Sequence, residues 1–316
     1  MQTTINRVFR TSFSLVEQQL IEFNQVAMRR PDFKKTEDMF NRVMTRDNIA
    51  VVALLEHRTT GARLIVANAH ITWAAEFRDV KLVQTAMMMD EIKKIADRFA
   101  RLPPRLDLTD APSYSNGSSI PTLVCGDFNS IPESGVYEFL SKGRLSHNHE
   151  DFMDHIYGNY TSDGLDHDLH LKSAYSNIGE LPFTNYTPGF RDVIDYVWYT
   201  TDTLSVTGVL GEVDQAYLSK VVGFPNAVSV PFFALEVCTL TFTAISSTIR
   251  QTTSAYWPNL SRKNPSLQNQ ERARRICYLS TSPCTLVSMP QPQQCNLSSV
   301  TQGQVAVFSF GCFALC

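Results

Sequence analysis

The sequence predicts a mixed α/β or α+β domain. The stretch "NIAVVALLEHRTTGARLIVANAHITW" (48–73) reads as two nearly all-apolar strands joined by a turn at Thr59–Gly61. The stretch "DVKLVQTAMMMDEIKKIADRFARLPP" (79–104) carries the clearest helical period in the chain. A further apolar run at 122–126 and an aromatic, β-branched run at 192–200 supply more strands. Strands alternating with helices point to that class.

The elements follow in order. The two strands of 48–73 are apolar on both alternations, which suits a sheet covered on both faces. In 79–104, Asp79 is the expected N-cap, and Pro103 and Pro104 end the helix. Val80, Val83, Met87, Met88, Ile92, Ile95 and Phe99 form its apolar stripe, so the methionine run reads as core. "LTDAPSYSNGSSIP" (108–121) is a polar loop. The strand at 122–126 precedes a short helix around 134–141 and a long polar region to about residue 180, and then "DVIDYVWYT" (192–200) is strand again.

Composition divides the chain near residue 227. The whole has 316 residues, 43% hydrophobic, with a formal charge of −3, so no overall basic field points to nucleic acid. Residues 1–227 hold 22 bases and 29 acids, or −7, and one cysteine, Cys125. The last 89 residues hold six cysteines and two acids, Glu236 and Glu271. One cysteine in the body suits an intracellular protein, and no secretory signal supports reading the tail as a disulfide framework. No internal repeat or membrane span is expected.

The stretch "TLVCGDFNS" (122–130) raises the chemical question. If the strand continues, Asp127 and Asn129 emerge on one side of its end. A carboxylate and an amide there suit a hard cation and a water beside a phosphate. A turn is the plain alternative, since Gly, Asp, Asn and Ser all favour turns. His70 closes "IVANAH", and Asp195 sits within "VIDYVW", where a carboxylate is costly to bury unless paired. Phe190 follows "NYTPG". Singly, each has a structural reading: a satisfied strand-end His, an Asp bonded to backbone, a core Phe.

Together, "NAHITW", "CGDFNS", "KSAYSNIGELPFTNYTPGFRDVIDYVWY" and "GVLGEVDQAYLSKVVGFPNA" resemble the endonuclease/exonuclease/phosphatase superfamily. Within it, "ELPFTNYTP" and "GEVDQAYLSKVVGFPN" resemble the carbon catabolite repressor-type deadenylases, catalytic subunits of the Ccr–Not complex. The resemblance runs from about residue 13 to 227. It implies a two-sheet αββα sandwich and Mg²⁺-dependent 3′–5′ removal of poly(A) as AMP, in the cytoplasm and nucleus. Residue by residue, it implies that Asp127 activates water and helps hold metal. Asn129 would orient the scissile phosphate and share the metal, and His70 would stabilise phosphate charge. Asp195 would orient a catalytic His, Phe190 would stack on adenine, and Asn185 and Asn68 would line the substrate. Poly(A) RNA and the other Ccr–Not subunits are the implied partners.

The sequence also departs from that pattern. Family members carry an Asn and a metal-binding Glu before the region that matches residue 13, so one ligand of the two-metal site is expected to be missing. Glu56, Glu17 and Glu22 do not replace it. Ala74 and Ala75 stand where relatives often have Asp-Pro. After "GFPNA" the family's Ser-Asp-His ending is replaced by "VSVPFFALEVCTL". Val228–Ser229 can be encoded GTA-AGT, an intron opening. From the third base of the Thr248 codon, a shifted frame can read Tyr-Ser-Pro-Asp-His-Ile-Ser-Leu-Leu-Ala-Glu. The expected organisation is an uncertain segment 1–12, a partial domain 13–227, and an intron-derived, out-of-frame and disordered tail 228–316. That tail is expected to leave the fold without its last strand, and the chain is expected to be impaired. A different phosphodiesterase of the superfamily, or a non-catalytic RNA-binding or interaction protein, stays open. Two weaker signals remain. His147, His149, His155, His167 and His170 offer zinc-like spacings, and "RRPDFKKTEDMFNR" (29–42) offers cations for an RNA backbone.

Overall fold

A computed structural model describes residues 12–33, 36–224, 238–244 and 305–310. Strand β1 (Phe13–Glu22) leads into helix α1 (Phe23–Arg29), followed by β2 (Ile49–His57) and β3 (Arg63–His70). Helix α2 (Arg78–Ala100) crosses to β4 (Thr122–Asp127), and α3 (Gly135–Lys142) follows. The polar region to residue 180 holds short pieces: β5 (Arg144–Leu145), α4 (Asn159–Ser162), β6 (Leu165–Asp166) and β7 (Leu171–Ser173). A small hairpin, β8 (Asn185–Tyr186) and β9 (Arg191–Asp192), precedes β10 (Asp195–Thr200) and β11 (Leu204–Gly208). Helix α5 (Gln215–Leu218) and strands β12 (Cys238–Ala244) and β13 (Val305–Phe310) complete the described elements.

The main sheet has six strands in the order β1-β2-β3-β4-β10-β7. β3 and β4 run parallel, joined through α2, and β10 is antiparallel to β4. Alternate residues of these strands fill two separate apolar clusters. One face carries Val52 and Leu54 of β2, Ile65 and Ala67 of β3, Val124 of β4 and Trp198 of β10, packed with Val83, Met87, Met88 and Ile92 of α2. The other face carries Ala53, Leu55, Leu64, Val66, Leu123, Cys125, Val197 and Tyr199, with Leu204 of β11. The two-sided burial expected from continuous apolar strands is met in this way.

Several expectations need correction. Asp79 does not cap α2. Phe77 occupies that position, and Asp79 is fully buried in the first turn. Arg42 reaches it at 2.6 Å and 2.8 Å, and the Tyr157 hydroxyl also donates to it. A carboxylate with no exposure needs such a cation more than a helix start needs a cap. The run 192–200 is not one strand. The N–H groups of Ile194 and Asp195 turn to the Thr184 hydroxyl, both at 3.0 Å, so β9 ends before β10 begins. β1 was not anticipated because it is an edge strand with only Ile21 buried, which leaves no alternation to read.

The basic stretch at 29–42 is partly spent internally. Arg30 pairs with Asp32 and Asp90, and Arg42 with Asp79. The histidines do not gather either. His149 accepts from the Asp151 N–H, His155 meets Asp38, His167 meets the Phe139 carbonyl, and His170 meets Asp202. Among the described residues, no group of three or more His, Cys, Asp or Glu could hold a metal ion. No helix among them is long and apolar enough to cross a membrane.

The second sheet has the order β11-β12-β13. Of the tail expected to be disordered, β12 and β13 are described, and both are strand, β12 pairing with β11 and β13 with β12. The remaining tail, with "QNQERARR" and most of its cysteines, lies outside the described residues, as do residues 1–11.

Candidate functional site

The site is where the second face of the main sheet stops being apolar. On β3 the row Leu64, Val66 continues as Asn68 and His70, by the two-residue alternation of a strand. On β4 the row Leu123, Cys125 continues as Asp127, and on β10 the row Tyr199, Val197 continues as Asp195. His70 is in register with Asp127, and Asp127 with Asp195. Three neighbouring strands thus bring an imidazole and two carboxylates side by side. His70 Nε2 lies 3.7 Å from Asp127 Oδ2.

Gly126 makes that juxtaposition possible. Its φ is +139°, and a Cβ there would lie 2.0 Å from the Ala69 carbonyl oxygen, in register on β3. Only glycine lets β4 approach β3 this closely. The Gly of "GDFN" is therefore a steric requirement of the site.

Burial, and after it the Asp195 charge, push the Asp127 carboxyl up to about 8. The Asn129 N–H and Lys81 oppose the rise. This is a carboxyl pair whose members resist ionising together.

Asn129 reaches the site by a different route from the one expected. The strand ends at Asp127, and Asn129 adopts φ +49°, in the left-handed region. Its N–H donates to Asp127 Oδ1 at 2.8 Å, and its side-chain Nδ2 donates to the Ile71 carbonyl at 2.8 Å. The alternatives of strand end and turn are both realised: Asp127 is the last strand residue, and Asn129 is set beside it by an Asx-type turn.

Phe190 lies between β8 and β9. It is 44% exposed; its carbonyl accepts from the Thr187 N–H and its own N–H donates to the Thr187 hydroxyl. The base of this hairpin is tied to Asp195 through Thr184. Asn185, on β8, has a buried Oδ1 with no hydrogen-bond partner. Asn68 is half-buried, two residues before His70 on the same face.

Sequence reasoning missed a set of polar braces. Every residue of α2 from Asp79 to Met89 is buried. Lys81 Nζ donates to the Asn129 carbonyl at 2.6 Å. Gln84 Oε1 accepts from the Thr72 N–H at 3.0 Å, and Asn48 Nδ2 donates to the His70 carbonyl at 3.0 Å. Thr72 and Gln84 both donate to Asn48 Oδ1. The available signal was Lys, Gln and Thr inside an otherwise apolar helical run, since polar groups in a fully buried helix must find partners.

Comparison with known proteins decides the family. A model described as "Endonuclease/Exonuclease/phosphatase family" matches residues 95–229. The chain is 62% identical over 219 residues to "CCR4-Not complex 3'-5'-exoribonuclease subunit Ccr4" of Mycosarcoma maydis, covering 68% of this chain and 33% of that protein. The chain belongs to the endonuclease/exonuclease/phosphatase family. The protein of the same name from Schizosaccharomyces pombe is 54% identical over 225 residues, covering 69% of this chain and 33% of that one. Among solved structures, "Crystal structure of ANGEL2, a 2',3'-cyclic phosphatase" is 23% identical with a TM-score of 0.48, covering 68% of this chain and 63% of that one. The chain spans about a third of the length of the curated relatives it matches.

Proposed function

We propose that this chain carries the phosphodiester-cleaving site of a 3′–5′ exoribonuclease that removes poly(A) as AMP, working with other subunits of a Ccr–Not assembly in cytoplasm and nucleus. The observation that carries the reading is the strand-end trio of His70, Asp127 and Asp195, in register on three neighbouring strands.

The donor set fits a hard divalent cation such as Mg²⁺. Two adjacent carboxylates that resist joint ionisation gain most from one, and Mg²⁺ needs only one or two protein carboxylates because it keeps waters. Asp127, with Asn129 beside it, would hold the cation, and Asp195 faces the same spot. When bound, the cation draws charge from the phosphate oxygens. The chain's own residues do the rest. Asp127, ionised once a cation sits beside it, would take the proton of the attacking water. The Asn129 amide orients the phosphate, and His70 donates to an oxygen that gains charge. Phe190, exposed between β8 and β9, stacks on a base, with Asn185 and Asn68 lining the approach. Such stacking is worth about 1–3 kcal/mol per base.

The chain itself is proposed to turn over slowly, because the family's Ser-Asp-His ending is absent from residue 228 onward. The test incubates this chain, and a version in the full sequence context of its relatives, with labelled oligo(A), oligo(C) and a phosphoinositide in Mg²⁺. The expected result is AMP released from the 3′ end of oligo(A) by the full version and at least about 100-fold slower release by this chain, the typical loss of one transition-state donor. Preference for the phosphoinositide, or AMP release that survives Asp127→Ala, would overturn the reading.

A further inference from the structure

The braces behind the site single out one residue. Lys81 is only 8% exposed, on a stretch of α2 whose neighbours are all buried. Removing a lysine from water is costly unless its charge is met. Here its ammonium meets a backbone carbonyl, that of Asn129, at 2.6 Å. The acids around it, Asp127, Asp151 and Glu76, come from β4, from the loop after β5 and from the turn before α2. Asp151 is itself held by Arg78 at 2.9 Å and by the Gly135 N–H at 2.7 Å.

The carbonyl it grips belongs to a residue in the left-handed region, at φ +49°. Asn enters that region more readily than other non-glycine residues, where its short polar side chain bonds locally. Such a conformation persists only where its surroundings over-determine it. Three bonds do so for Asn129: its N–H to Asp127, its side chain to Ile71, and its carbonyl from Lys81. The first two join the site to itself. The third comes from the helix-covered side of the sheet and ties the site to the rigid core.

We infer that Lys81 is a positioning residue: its ammonium holds the Asp127–Asn129 main chain in the one conformation that presents the Asp127 carboxylate and the Asn129 amide together. This deepens the reading above and rests on it for the roles of Asp127 and Asn129. It also opposes the simplest electrostatic expectation. Deleting a cation beside two carboxylates should strengthen divalent-cation binding. Deleting a residue that shapes their loop should weaken it, as loss of outer-shell partners does by about 10–100-fold.

The experiment compares this chain with its Lys81→Met, Lys81→Gln and Lys81→Arg variants at one fixed pH. Two quantities are read: hydrogen exchange at the Asn129 amide, and the affinity for Mn²⁺. For Lys81→Met, Asn129 exchange is expected to rise about tenfold or more, with Leu123–Cys125 unchanged, because only the loop loses its tie. Mn²⁺ affinity is expected to fall about 10–100-fold. Lys81→Arg, which keeps a cationic donor, restores most of both. If Lys81→Met does not fold, Lys81→Gln gives the same comparison with a polar side chain. Unchanged Asn129 exchange, or tighter Mn²⁺ binding, in the folded variant would overturn the inference. An Asp127→Ala control separates the two levels. If Asp127→Ala leaves Mn²⁺ affinity unchanged, the assignment of Asp127 fails, and the Asn129 exchange still decides whether Lys81 holds the loop.

Discussion

Two aspartates, one on each side of the same sheet, are treated in opposite ways. Asp79, on the helix-covered side, is fully buried and met by Arg42 and Tyr157. Asp127, on the other side, is half-buried, its side chain 13% exposed, and faces a second carboxylate. Only the first is paired with an arginine; Asp127 has the Asn129 N–H at 2.8 Å and His70 at 3.7 Å set against the charge of Asp195. The difference teaches where to look for chemistry. A paired buried charge belongs to the architecture, and a buried acid set against another acid is a liability that a fold keeps only at a site where a cation or proton is to be handled.

The largest expected effect is at the boundary between the sides. Gly126→Val places a branched side chain against the Ala69 carbonyl at φ +139°. It should destabilise by more than about 4 kcal/mol, the range of backbone clashes and strained φ/ψ, as read by urea denaturation. Next, Asp79→Ala strands Arg42 and Tyr157. A loss of about 3–5 kcal/mol is expected, as for a buried pair missing one partner. A loss below about 1 kcal/mol would mean that Asp79 is no better compensated than Asp127, and the contrast would collapse.

The third effect has the opposite sign. Asp127 binds its proton more tightly folded than unfolded, since its pKa rises from 3.8 to about 8. Stability from this group is complete below about pH 4 and is lost as pH rises towards 8. Asp127→Asn cannot ionise, so it should match the parent at pH 4. At pH 8 it should exceed the parent by about 2–4 kcal/mol, given about 1.4 kcal/mol per pKa unit and some sharing with Asp195. Thermal melts without divalent cation at the two pH values check this. The smallest effect on folding is at Phe190, 44% exposed. Phe190→Ala should change stability by less than about 0.5 kcal/mol yet weaken oligo(A) binding by about 1–3 kcal/mol.

The sequence carried the sheet's centre well, because β2, β3 and β4 are apolar on both alternations, and α2 shows its period. It carried the residues of the site as types at strand ends, but not their register, which Gly126 and the two-residue count to Asp195 establish only once the strands pair. It misplaced Asn129 by extending a strand rule two residues beyond the strand. It missed β1, whose exposed edge leaves no pattern, and the Asn48, Lys81 and Gln84 braces, whose partners are backbone groups distant in the chain. Asp79 was read as a cap because helix-start statistics are local, whereas its partners Arg42 and Tyr157 lie 37 and 78 residues away.

The most direct measurement is a carbon-13 titration of the Asp127 carboxyl in the parent, in Asp195→Asn, and in the parent with Mg²⁺. The account predicts a midpoint near 8 without cation, a clearly lower one in Asp195→Asn, and an ionised Asp127 across neutral pH once Mg²⁺ is present. A midpoint near 4 in the parent, indifferent to Asp195→Asn and to Mg²⁺, would show that the two carboxylates do not share a site.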